Sequence, residues 1–110
     1  MIKLRSLIEI KKSMSSRLGK CYQLAGEYVY GHPNAILVHG ELTNRFAQGL
    51  PRLDHAWIED GNEIFDPVMD MKWPKEVYEG LFKTKVFKKY SHREAIEMID
   101  KHMTWGPWHE

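Results

Sequence analysis

Cysteine is almost missing from this chain: Cys21 is the single example among 110 residues. One thiol cannot close an internal disulfide, and no Cys-x-x-Cys pair exists to hold a structural zinc. The thiol is therefore kept for chemistry or is incidental, and the expected location is a reducing compartment, the cytoplasm. An excess of charge of one sign is missing too. The 16 Lys+Arg and 15 Asp+Glu leave a formal net charge of +1, so global charge calls for neither nucleic acid nor an anionic membrane. No apolar run approaches the length of a membrane span, and the stretch from Met1 to Lys12 carries charges where a signal peptide would be uninterrupted and apolar. Internal repeats, low-complexity tracts and a Gly-rich phosphate loop are also lacking. His32, His39, His55 and Cys21 show neither helical i,i+4 nor compact loop spacing, so no metal or other cofactor is expected.

What is present describes a folded protein. Hydrophobic residues make up 43% and charged residues 28%, enough for a modest core in one domain spanning residues 1–110. Residues 2–14 lean towards a helix, and the turn formers from Ser13 to Gly19 break it. A second helix is expected from Lys20 to Tyr30, with Cys21, Leu24, Ala25 and Tyr28 on one face and Gly31-His-Pro-Asn34 ending it. Ala35 to His39 is a continuous apolar run, as in a buried central strand. Gly40 to Asp54 reads mostly as loop, with a strand or turn at Leu42–Phe46. Pro67 to Trp73 is a connection with apolar anchors, Pro74 opens a short helix through Phe82, and Lys85 to Tyr90 forms a strand. Ser91 and Glu94 make a capping box for a last helix with Ala95, Ile96, Ile99 and Met103 as its stripe. The tail from Thr104 should pack its tryptophans onto the body.

The richest stretch is His55-Ala-Trp-Ile-Glu-Asp-Gly-Asn-Glu-Ile-Phe-Asp-Pro67. Two β-type runs flank Asp60-Gly61-Asn62, a hairpin signal because Gly adopts positive φ cheaply. Pro67 ends the second strand by removing a ladder donor. The hairpin makes His55 and Asp66 cross-strand neighbours, and an imidazole beside a carboxylate is an oriented base. Cys21, at the start of its helix, would have its thiolate stabilised by unpaired N–H groups and the helix dipole. Each residue also has a plain structural reading. Cys21 can be a small buried hydrophobe, His55 a half-exposed strand residue, Asp66 a turn former before Pro. The joint pattern favours a nucleophilic cysteine site. Glu59, Asp60 and Glu63 read as solvated hairpin charges, and Trp57 and Trp73 as packing. Lys83, Lys85, Lys88, Lys89 and Arg93 read as a solvated strand edge. The Cys21 N–H is a ready oxyanion donor; Ser15, Ser16 and Gln23 are weaker candidates.

His-Ala-Trp-Ile-Glu, a turn, and Ile-Phe-Asp-Pro together resemble the core of the transglutaminase-like superfamily, a branch of the papain-like cysteine enzymes. Gly19-Lys-Cys21-Tyr-Gln-Leu-Ala25 is similar to its cysteine element, with Tyr22 where an aromatic, commonly Trp, adjoins the nucleophile. The resemblance covers roughly residues 19 to 67. It implies Cys21 as nucleophile, His55 as base and Asp66 as orienter. The expected fold is α+β, a small antiparallel sheet packed against the Cys-bearing helix in a papain/transglutaminase-like core. The expected activity is thiol-dependent hydrolysis or acyl transfer on an amide or ester of a protein or peptide-like substrate. The alternative is a non-catalytic binding or inhibitory module on the same scaffold.

Overall fold

A computed structural model describes residues 20–43 and 52–108. The expected helix over residues 2–14, the break after it, and most of the Leu42–Phe46 segment lie outside those bounds. The described elements are α1 (Cys21–Tyr30), β1 (Ile36–Leu42), β2 (Leu53–Asp60), β3 (Glu63–Asp66), β4 (Met71–Pro74), α2 (Lys75–Phe82), β5 (Lys85–Tyr90) and α3 (His92–His102). The strands form one antiparallel sheet in the order β4-β3-β2-β1-β5, so the fold is α+β.

Strand periodicity divides the core into two layers, because successive side chains leave opposite faces of the sheet. Leu37, Ala56 and Ile58 pack with Ala25 and Val29 of α1 and with Ala95 and Met98 of α3. Val38, Leu42, Trp57 and Ile64 pack on the other side with Tyr78 and Phe82 of α2. A sheet covered on both faces explains why β1 reads as a near-continuous apolar run. Helix α1 buries Cys21, Ala25, Gly26 and Val29. Its stripe is thus turned from the expected one, and Leu24 and Tyr28 are only half-buried.

Several boundaries differ from the sequence reading. β1 begins one residue later than expected and continues through Gly40 and Glu41 to Leu42, because those residues pair with β2 on one side. On the other side β1 pairs with β5 across a bulge at His39/Gly40, and Glu41 is matched to Lys85. β2 starts at Leu53 rather than His55. The Pro67–Trp73 connection contains β4, whose last residue, Pro74, caps α2 from outside instead of occupying its first turn. The hairpin is as read: Asp60 pairs with Glu63, and Gly61 takes φ 62 at the first loop position. The Ser91–Glu94 capping box is formed in both directions. Met103 is not part of the α3 stripe: it is the left-handed C-cap, 83% exposed, and Met98 is buried instead. The tail docks as expected, with Trp108 buried against the first layer. Five of the six residues of β5 are exposed, which suits a lysine-bearing edge. Among the described residues, no helix is long and apolar enough to cross a membrane.

Candidate active site

The site is built where β2, the end of β3 and the start of α1 meet. His55 is the third residue of β2 and is paired across the sheet with Gly40. Its ring is 3% exposed, and the indole of Trp57 lies beside it at 6.2 Å between centroids. Asp66, the last residue of β3, is fully buried. The two residues are bonded, His55 Nε2 donating to Asp66 Oδ2 at 2.8 Å. They are diagonal and not directly opposite, as the sequence reading had placed them. The ladder runs from Asp60↔Glu63 to Ile58↔Phe65, and continuing it would set Asp66 against Trp57. The imidazole reaches across the offset.

Asp66 is held from every side. Its Oδ1 accepts the backbone N–H groups of Val68 at 2.9 Å and Met69 at 3.4 Å. Its Oδ2 accepts the Tyr78 hydroxyl at 2.7 Å as well as the imidazole. The Asp-before-Pro turn signal and the site residue are thus one and the same: the carboxylate folds the turn that follows β3 and holds the imidazole. Burial pushes the Asp66 carboxyl up, but the bonds from His55, Tyr78 and Met69 outweigh it and leave the group below the ordinary carboxylate value. Asp66 is therefore the ionised, acceptor-only partner, and His55 Nε2 must carry the proton between them.

Cys21 opens α1 and is 5% exposed. Among the described residues no side-chain cap bonds to the helix start, where the first-turn backbone N–H groups have no partner within the helix. Burial works to lower the basicity of His55, yet the Asp66 bond and the adjacent Cys21 sulfur prevail and lift the imidazole from 6.5 to about 9. Nδ1 itself is buried without an aligned hydrogen-bond partner among the described residues. The Cys21 sulfur thus acts on the imidazole at close range, without a well-aligned hydrogen bond to Nδ1. With Nε2 tied to Asp66, Nδ1 is the nitrogen left to exchange a proton with the thiol.

The three residues Cys21, His55 and Asp66, chosen from sequence, are thus gathered in one buried place. Tyr78 was not singled out by sequence, although it sits with Phe82 on the apolar face of the short helix that Pro74 announces. It is fully buried, and burial first, then the Asp66 charge and bond, push its hydroxyl well above its ordinary value. Tyr22 is held at about 12 by burial and by its neighbours Cys21 and Asp54. It meets the buried His39 edge-on at 4.9 Å. His39, packed also on Tyr90 and Trp108, is pushed down to about 4 by burial, so its ring is neutral.

Other candidates fall elsewhere. Gln23 donates to Glu27 at 2.9 Å on the exposed face of α1, away from an oxyanion role. Ser15 and Ser16 lie outside the described residues. Trp57 and Trp73 pack under α2 as expected. Glu59 corrects the reading of a solvated hairpin charge. Its side chain is 14% exposed and is gripped by Lys75 at 2.6 Å and Lys89 at 2.8 Å, tying β2 to α2 and β5. Among the described residues no three His, Cys, Asp or Glu side chains converge as a metal site. No family model, curated protein or solved structure matches the chain.

Proposed function

We propose that this protein is a cysteine hydrolase or acyltransferase with a papain/transglutaminase-like core, acting on an amide or ester of a protein or peptide-like substrate. The observation that carries the reading is one buried imidazole bonded to Asp66 through Nε2 and flanked by the Cys21 sulfur. In the proposed cycle the thiol proton passes to His55 Nδ1 and the sulfur attacks the carbonyl carbon. The carbonyl electrons move to oxygen, facing the N–H groups at the start of α1. When the tetrahedral adduct collapses, the C–N or C–O bond breaks and His55 returns the proton to the leaving group. A thioester remains. Water, deprotonated by His55, cleaves it to acid and thiol; an amine in its place gives transfer. Hydrolysis by a peptidase, amidase or deamidase is the preferred outcome over transfer. The proposed location is a reducing compartment, the cytoplasm, in keeping with a thiol that has no second cysteine to pair with.

The test is the rate of Cys21 alkylation by iodoacetamide across pH 5 to 9, in the parent and in His55→Ala. Rapid labelling near pH 6 that His55→Ala slows is expected, since ordinary thiols titrate at roughly 8.5 and activated ones lower. Labelling that is slow in both proteins and rises only at alkaline pH would overturn the catalytic reading and leave a binding module on this scaffold.

A further inference from the structure

We propose that Tyr78 is a positioning residue of this site: by sharing Asp66 Oδ2 with His55, its hydroxyl limits how tightly the carboxylate holds the imidazole proton. The inference rests on the thiol–imidazole reading above, and its test needs no turnover.

The geometry separates this role from simple satisfaction of a buried carboxylate. Asp66 already has two backbone donors on Oδ1, from Val68 and Met69. Tyr78 instead donates to Oδ2, the oxygen that receives the imidazole, at 2.7 Å beside the 2.8 Å bond from His55. Two donors on one oxygen compete for its electron density. A hydroxyl proton aimed at Oδ2 makes the potential at the imidazole less negative, so the imidazolium is stabilised less than an unshared carboxylate would stabilise it. The consequence is chemical. An acid that must return its proton to a leaving group works best when its pKa is not far above the operating pH. Asp66 and Cys21 both raise His55, and Tyr78 opposes the larger of those two influences. Among the described residues, few groups face His55. Cys21 comes from α1, Asp66 from β3 and Trp57 from its own strand, and Gly40 on β1 presents no side chain. Among the described residues, those facing Asp66 are His55, Tyr78 and the two turn amides. The hydroxyl has one proton, and Asp66 takes it, so Tyr78 is not an oxyanion donor.

The experiment is the NMR titration of the His55 ring Cε1–H, assigned by its loss in His55→Gln, in the parent and in Tyr78→Phe. Phe keeps the ring that packs in the α2 layer. The His55 midpoint is expected to rise by about half to one pH unit, the influence of one neutral hydrogen bond. A second variant carries a ring-fluorinated tyrosine at position 78, a stronger donor, and its midpoint is expected to fall. An unmoved midpoint in folded Tyr78→Phe, or the same direction of shift in both variants, overturns the proposal. Should Tyr78→Phe not fold, the fluorinated variant decides alone: a fall supports the role and no change ends it. A purely structural tyrosine would alter thermal stability and leave the His55 titration in place. Slow Cys21 alkylation in the parent would sink the acyl-transfer reading without touching this result, so the two failures are distinguishable.

Discussion

The indole of Trp57 fills the space beside Gly40, so that a Cβ on Gly40 would stand 2.8 Å from Trp57 Cη2 while also striking the backbone oxygen of Lys85. Gly40 faces His55 across the β1–β2 ladder, and Trp57 flanks the same imidazole. Neither the backbone nor the indole can give way cheaply. Gly40→Ala is expected to destabilise the fold by about 1–3 kcal/mol, as overpacking does, and to slow Cys21 alkylation by displacing the indole that backs the His55 ring. Urea unfolding together with the labelling rate checks both parts.

The His55 elevation gives a pH dependence with a definite sign. The folded value, about 9, lies above the ordinary 6.5. The stabilisation is therefore fully present below pH 6.5 and is lost as pH rises through about 9. Asp66 works in reverse: its folded value is depressed, so its contribution is present above the ordinary 3.8 and disappears as pH falls through the folded value. Unfolding free energy measured against pH for the parent and for His55→Gln should show curves that converge on the alkaline side. Parallel curves from neutral pH to above pH 9 would contradict the assignment.

Asp66→Ala removes one partner of a buried, hydrogen-bonded pair and is expected to cost about 3–5 kcal/mol. Asp66→Asn keeps the shape but not the charge. His55 then loses its main support, and Cys21 alkylation near pH 6 should slow by roughly ten- to hundredfold, the worth of a charge-assisted hydrogen bond. Labelling unchanged in folded Asp66→Asn would show that the carboxylate does not tune the imidazole.

Trp105 lies so close to Gly26 that a Cβ there would come within 2.7 Å of its ring. Alanine normally improves a helix interior by about 1 kcal/mol over glycine. In the parent the clash should cancel that gain, making Gly26→Ala neutral or destabilising. In a Trp105→Ala background the same change should become stabilising, and a double-mutant cycle of unfolding free energies reads the sign reversal.

Much of this arrangement was legible in the chain. The Asp60-Gly61 turn, the Ser91–Glu94 capping box and the β1 apolar run are local signals, and each fixed an element. His55, Asp66 and Cys21 could be joined because a hairpin with a known turn brings its arms together, and because the lone cysteine opens a helix. The offset of the pair was not legible, since His55 and Asp66 meet through side-chain reach across a diagonal. β4 was missed because Met71-Lys-Trp-Pro74 has no alternation strong enough to announce a strand; its pairing with β3 defines it. Tyr78 was missed because a buried tyrosine on a helix looks like core until the acceptor of its hydroxyl is known. Glu59 looked like a surface charge because the lysines that grip it lie 16 and 30 positions further along the sequence.

Asp66 closes β3, and its Oδ1 gathers the amides of the turn leading into β4 while its Oδ2 secures the imidazole. One ionised group therefore stabilises both the outer ribbon of the sheet and the His55 ring. Protonating it releases both at once, so on acidification the β3–β4 ribbon loosens together with the loss of the organised imidazole. Amide hydrogen exchange at Val68 and Met69 becomes a direct reporter of whether the site is assembled.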